Sequence, residues 1–273
     1  MTASRAQAAL RGTTAGVRPI GLDELNATAA LTSRVDRKFL VPTDVAIEAL
    51  APLAADGARI LQIDGRRMFG YRSVYYDTAD LWTFRAHRQN RRRRAKIRIR
   101  DYVDSGLSFL EVKLNGSRDD TDKHRIAHPG TMTQWGRDFV DQVVTSAYGS
   151  GPPTALAPSL RVDYSRVTLL TADGSSRVTC DVDLAWRRPD GSGVRSRDDL
   201  VLIEVKTPMD RPLRLTGLPR PESGLSKYCV GVTALYPKTP GNPWYRTVRY
   251  MSVPEGAHAR PATATLLGGS AAR

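Results

Sequence analysis

Along much of the chain, apolar and charged residues alternate with a period of two, the pattern of strands that carry one buried and one polar face. Lys96-Ile97-Arg98-Ile99-Arg100 puts its basic residues on one side. In Phe109-Leu110-Glu111-Val112-Lys113-Leu114, Glu111 and Lys113 oppose Leu110, Val112 and Leu114. Arg177 to Asp183 aligns Arg177, Thr179, Asp181 and Asp183 against Val178, Cys180 and Val182. Leu202 to Lys206 aligns Glu204 and Lys206 against Ile203 and Val205. One such strand fits a sheet with a solvated face. Several, favouring Arg and Lys beside isolated carboxylates, fit a sheet closed with its charged faces inward and its apolar faces covered by helices.

Helical periodicity is confined to short segments. A helix is expected to start near Thr43 and Asp44, carry Val45, Ile47 and Leu50, and break around Pro52. A second is expected from about Thr131 to Ala147, with Gly149 ending it, and a third from Lys227 to Leu235. The Gly/Pro-rich joint from Gly149 to Pro158 separates two halves, each holding a Glu-Val-Lys strand. Residues 1–18 and 254–273, rich in Ala, Gly, Thr and Ser without periodicity, read as disordered tails around a single domain at 19–253. The expected fold class is α+β: an antiparallel β-barrel or tunnel with helices packed outside.

Charge narrows this picture. The 273 residues hold 41 Lys plus Arg against 28 Asp plus Glu, a net charge of +13, which attracts polyanions. No apolar run approaches the roughly 18 residues that cross a bilayer, and no secretory leader is apparent. Cys180 and Cys229 form no C-x-x-C pair, so a reduced, cytoplasmic setting is expected. From Arg85 to Arg100, 9 of 16 residues are basic, including Arg91-Arg92-Arg93-Arg94. A solvated loop or a nucleic-acid patch is the default reading of Arg91-Arg92-Arg93-Arg94, but no docking motif or exposed aromatics favour the second. Walker A, G-x-G-x-x-G and H-E-x-x-H motifs are missing, and His87, His124 and His128 read as surface histidines. Candidate metal ligands are carboxylates: Glu204 first, then Glu111, Asp181, Asp183 and Asp36. Oxygen-only ligation suits Mg²⁺ or Mn²⁺ shared with phosphates, and a structural ion pair is the competing role for each.

The order of these motifs resembles the VTC domain, the polyphosphate-polymerase branch of the triphosphate tunnel metalloenzymes. Arg34-Val35-Asp36-Arg37-Lys38-Phe39 resembles that branch's opening strand, and Val74-Tyr75-Tyr76-Asp77-Thr78 its V-Y-F-D-T segment. The Lys96–Arg100 strand, the Leu110–Lys113 strand, Arg161 to Arg166, Arg177 to Asp183, Glu204-Val205-Lys206 and Ser226-Lys227-Tyr228 follow in the same order. The resemblance implies that Lys38, Arg98, Arg100, Lys113, Arg166, Arg177 and Lys227 hold and activate a triphosphate. It implies phosphate contacts from Tyr164 and Ser226, and a metal-ligating role for Glu204, with Mn²⁺ or Mg²⁺ as cofactor. Arg34, Lys96, Arg161 and Lys206 are expected to add substrate contacts, and Glu111 and Asp181 remain candidate metal ligands. Arg34 stands where hydrolytic relatives carry the first Glu of E-x-E-x-K, which favours gripping a phosphate chain over activating water. Asp36 is one methylene shorter than the second Glu.

The implied partners are a nucleoside triphosphate and inorganic polyphosphate. The implied reaction is phosphoryl transfer from the nucleotide to the polymer. Triphosphate hydrolysis, and binding of polyphosphate or nucleotide without turnover, stay open, as does a membrane partner. Nucleic-acid binding is the least favoured reading.

Overall fold

The computed structural model describes residues 3–28, 34–115, 121–222 and 224–254. The chain opens with α1 (Arg5–Thr14), β1 (Arg18–Ile20), α2 (Leu22–Thr28), β2 (Arg34–Pro42), α3 (Thr43–Ala55) and β3 (Arg59–Leu61). The middle holds β4 (Phe69–Asp77), α4 (Trp82–Arg88), β5 (Ala95–Tyr102), β6 (Leu107–Asn115), β7 (Thr121–Ala127) and α5 (Gln134–Tyr148). β8 (Ala157–Leu170), β9 (Arg177–Arg187), β10 (Gly193–Ser196), β11 (Leu200–Pro208), α6 (Lys227–Leu235), α7 (Tyr245–Met251) and β12 (Ser252–Pro254) complete it.

Hydrogen-bonded neighbours run β2-β11-β9-β8-β4-β5-β6-β7, every pair antiparallel. Among the described residues β2 and β7 do not pair with each other, so the barrel is open along one seam. β4 pairs with β8 across the Gly/Pro joint, which therefore links two halves of one sheet. β10 and β12 extend the sheet beside the second half of β9.

The outer face is covered by two apolar layers. Phe39, Val41, Val178, Cys180, Val182, Val201 and Ile203 pack under α1 and α3. Ile97, Ile99, Leu110 and Val112 pack under α5 through Val140 and Val144. These are the residues that alternate with the charged ones, so the period-two pattern sorts the sheet into an apolar outside and a charged inside. The third layer fills one end of the barrel, where α6 lies against Tyr75, Leu160, Val162, Leu184 and Trp186.

A β-bulge lets β9 serve both regions. The β8–β9 register shifts between Asp163 and Ser165, and Asp183 has φ 54°, a left-handed conformation that costs a non-Gly residue energy. The inserted residue flips the alternation. Val182 faces the outer layer beneath α1, while Leu184 and Trp186 face the inner plug. Asp183 therefore leaves the face it was expected to share with Asp181. It turns toward the start of α1, where Ser4 and Gln7 hydrogen-bond its carboxylate.

Two expectations change. Residues 5–14, read as part of a disordered tail, form α1: Ser4 caps it by accepting from the Gln7 N–H at 3.1 Å, and Ala6 and Leu10 are fully buried. α3 continues through Pro52 to Ala55, because a proline near the last turn removes only one intrahelical bond. The tail at 254–273 lies outside the described residues except for Pro254, which ends β12. The helix at Lys227–Leu235 and the Gly149 stop of α5, at φ 82°, are as the pattern predicts. Among the described residues no helix is long and apolar enough to cross a membrane.

Because Leu10 is buried between α1 and the sheet, Leu10→Ala is expected to destabilise the protein by about 3 kcal/mol. Denaturant unfolding measures this, and no loss of stability would mean that α1 is not part of the fold.

Candidate functional site

The charged faces meet because the sheet curls. Lys113 on β6 lies six strands from β2 in the hydrogen-bonded order, yet it feels the charges of Lys38 and Asp36 on β2 and Lys206 on β11. Lys38, Lys96 and Lys113 border one cavity of about 180 Å³ together with Arg94 and Ser226. Cations from opposite walls thus face a common space.

Two buried carboxylates bind the arginines into the walls. Asp181, 0% exposed on its side chain, takes both prongs of Arg166 at 2.6 and 2.8 Å and Lys227 Nζ at 2.5 Å. Burial alone would raise its pKa, but Arg166 and Lys227 overcome that and hold it below the usual carboxylate range. Glu111 accepts from Arg98 Nε and Nη2 at 2.8 and 2.6 Å, with Lys123 Nζ at 2.5 Å and Arg100 at 4.0 Å. It too is held ionised against its burial, chiefly by Arg98 and Arg100. Both carboxylates, expected as candidate metal ligands, act as internal counter-ions with their oxygens occupied by cations.

Aromatic rings flank these cations as well. Tyr71 stacks on Tyr164 with centroids 5.2 Å apart and planes within 5°. Arg166 lies over both rings at 5.2 and 5.3 Å, Arg100 over Tyr71 at 5.8 Å, and Lys227 Nζ over Tyr164 at 4.6 Å. Tyr164 is 4% exposed and its Oη has no hydrogen-bond partner among the described residues. Although burial works against it, Arg100, Arg166 and Lys227 lower the pKa of this hydroxyl, so it is a strong donor aimed at nothing the protein supplies.

The lysine-rich end is different, for carboxylates are sparse there. Lys96 is pushed down to about 8 by burial and by the neighbouring Lys38 and Arg94. Lys113, open to solvent but surrounded by protein, is pushed down to about 7 by burial, Lys96 and Lys38. Lys38 Nζ donates to the Leu225 carbonyl at 3.0 Å, which ties it to the loop before α6. Ser226 caps α6 by accepting from the Cys229 N–H at 3.4 Å.

Glu204 stands across from Lys38 on one side and Thr179 on the other. Its nearest cation is Lys206 at 3.3 Å, and Lys206 also reaches Asp36 at 3.5 Å. Burial opposes its charge, yet Lys206, Lys38, Arg166 and Lys227 hold it well below the carboxylate range. Among the described residues no three His, Cys, Asp or Glu side chains gather. The donor set fits a hard divalent cation held by Glu204 and completed by phosphate oxygens and water, as Mg²⁺ is commonly bound. It does not fit a cation held by protein carboxylates alone.

The structure brings together Lys38, Lys96, Arg98, Arg100, Lys113, Tyr164, Arg166, Glu204, Lys206, Ser226 and Lys227. Arg177 lies on the same face opposite Lys206, and donates to the Leu25 carbonyl at 3.2 Å. Arg34 opens β2, but its side chain lies outside the described residues. Arg161, expected as a substrate contact, is on the outer face: odd positions of β8 point away from Tyr164 and Arg166, and Arg161 pairs with Asp163 at 2.7 Å. His128 is 5% exposed and stacks with Trp135 at 6.2 Å, so it is not a surface histidine. His87 lies against the Ala95 carbonyl at 3.2 Å, and burial drives its pKa down to about 2.

Sequence reasoning missed Tyr71 and Lys123. Tyr71 carried a signal, since it falls in phase with Tyr75 on an alternating strand, whereas Lys123 is one of many basic residues. The Val74–Thr78 motif is a fold node. Asp77 accepts from the Thr83 and Phe84 N–H groups at 2.8 and 3.0 Å, and from Tyr228 Oη at 2.5 Å, joining α4 to α6.

A family model described as the VTC domain matches residues 33–236. No curated protein matches the sequence. Among solved structures, a Hippeastrum protein described as revealing a dominant triphosphatase activity is similar at 14% identity and TM-score 0.45, over 73% of this chain and 95% of that one. A conserved hypothetical protein from Pyrococcus furiosus is similar at 11% identity and TM-score 0.36, over 66% and 82%. The PH1012 protein from Pyrococcus horikoshii gives 12% identity and TM-score 0.35, over 66% and 80%.

Removing an internal counter-ion strands the cations it holds. Asp181→Asn is expected to destabilise the protein by about 3–5 kcal/mol, because Arg166 and Lys227 stay buried and charged. Equilibrium unfolding tests this, and a loss below about 1 kcal/mol would remove Asp181 from that role.

Proposed function

The chain belongs to the VTC domain family, and we propose that it transfers the terminal phosphoryl group of a nucleoside triphosphate to the end of a polyphosphate chain. The observation that carries this reading is the convergence of Lys38, Lys96 and Lys113, from three strands, on one cavity with Arg94 and Ser226. Such a concentration of like charge is costly in the free protein and favourable once a polyanion fills it. Tyr164, Arg100, Arg166 and Lys227 at the adjoining wall offer donors and positive charge to the same ligand.

In the proposed reaction an oxygen of the terminal phosphate of the polymer attacks the γ-phosphorus of the nucleotide. The bond from that phosphorus to the β–γ bridging oxygen breaks, and the nucleoside diphosphate leaves with the electron pair. The nucleophile is already an anion, so no general base is required. The chain's own part is to hold donor and acceptor in line and to stabilise charge spreading over the equatorial oxygens. Lys38, Arg100 and Lys227 carry out the stabilising, and Arg98 and Arg166 are held in position by Glu111 and Asp181. A divalent cation at Glu204, Mn²⁺ or Mg²⁺, would neutralise phosphate charge when bound.

Incubation with ATP and Mn²⁺, followed by gel analysis, is expected to yield acid-stable polymer. Release of orthophosphate without polymer would replace this reading by triphosphate hydrolysis, and binding without turnover would replace it by a sensor. Lys38→Ala is expected to lower the rate by about 10²-fold or more. It is a cleaner probe than Arg98→Ala, which would also strand Glu111. Full activity in Lys38→Ala would overturn the site.

A further inference from the structure

Beside Glu204, across the β9–β11 ladder, stands Thr179. It is 2% exposed, and among the described residues its Oγ1 has no hydrogen-bond partner. Register places it on the charged inner face, since it opposes Glu204 on β11 and Thr168 on β8. Buried hydroxyls are nearly always satisfied, so an orphan at this position marks a place where something other than the protein completes the bonding. Directly opposed residues on one face have Cβ atoms about 4.5–5.5 Å apart. That spacing lets a carboxylate and a hydroxyl turn toward one ion.

The choice of ligand follows from charge. Glu204, with Lys206 Nζ 3.3 Å from its carboxylate, sits directly opposite Thr179, so a phosphate placed against this pair would meet a carboxylate. A divalent cation between them turns that repulsion into attraction. A threonine hydroxyl is a hard, neutral oxygen donor of the type that accompanies a carboxylate and phosphates around Mg²⁺. We infer that Thr179 supplies a hydroxyl ligand to a divalent cation that it shares with Glu204 and the substrate phosphates. Resting on the phosphate-tunnel reading, the inference adds a metal ligand that lies outside the Glu-Val-Lys strand.

The test is Mn²⁺ binding to the full chain saturated with tripolyphosphate, followed by the electron paramagnetic resonance signal of free Mn²⁺. Thr179→Val keeps the shape and β-branching of the side chain and removes only the hydroxyl. It is expected to weaken Mn²⁺ binding about ten-fold or more, taking the effect of lost outer-shell partners as a lower bound. Thr179→Ser is expected to restore it. Tripolyphosphate binding in chelator shows that the tunnel of each variant is folded. Wild-type Mn²⁺ affinity in Thr179→Val, with affinity lost in Glu204→Gln, would overturn the inference while leaving the tunnel reading intact. Failure of the wild-type chain to bind tripolyphosphate at all would remove both.

Discussion

The constraint on which the structure depends is the repulsion of cations facing one another inside a curled sheet. Burying even one unpaired charge is unfavourable, and here arginines and lysines enter a shared interior from several strands. Asp181 and Glu111 resolve this for the arginines by taking Arg166 with Lys227, and Arg98 with Lys123. These pairs fix the guanidinium positions before any ligand arrives. Preorganisation of that kind is what electrostatic catalysis requires, because no reorientation then remains for the reacting state. The lysine end is left under-compensated, which is why burial and mutual repulsion lower Lys113 to about 7 and Lys96 to about 8.

The architecture follows from keeping that interior polar at one end and sealed at the other. α6 and its apolar contacts plug one end, while its first turn presents Lys227 to Asp181 and Tyr164. The bulge at Asp183 makes this possible, since a regular β9 would turn Leu184 and Trp186 outward. Asp77 then links the plug to the wall through Tyr228.

Much of this was legible in the sequence because strand alternation is a local property. Lys96–Arg100, Leu110–Lys113 and Leu202–Lys206 announce their faces without knowledge of the fold, and Ser226 announces the start of α6. What alternation could not supply is phase across a bulge or the choice of partner. Asp183 followed the pattern and was turned out by one inserted residue. Arg161 is basic and near Arg166, but its odd position in β8 puts it outside. Glu111 and Asp181 read as candidate metal ligands in the sequence, and only the register shows which arginines they pair with. α1 was missed because its buried face holds one large apolar residue, Leu10, between Ala6 and Thr14, too few to show a period, although Ser4 and Gln7 have the spacing of a capping box.

A polyanion in the lysine mouth would complete its charge balance. Lys113 and Lys96 have pKa values lowered from 10.5 to about 7 and about 8 in the free protein, and a bound polyanion raises them again. Between the free and bound values the two lysines take up protons on binding, and their contribution to affinity falls as pH rises. Calorimetry of tripolyphosphate binding in chelator, at a pH of about 7.5 and in two buffers of different ionisation heat, measures that uptake directly. After correction for the protons that tripolyphosphate itself releases, uptake of about one proton per ligand by the two lysines is expected. Corrected uptake of zero would contradict a lysine mouth that is charged by its ligand.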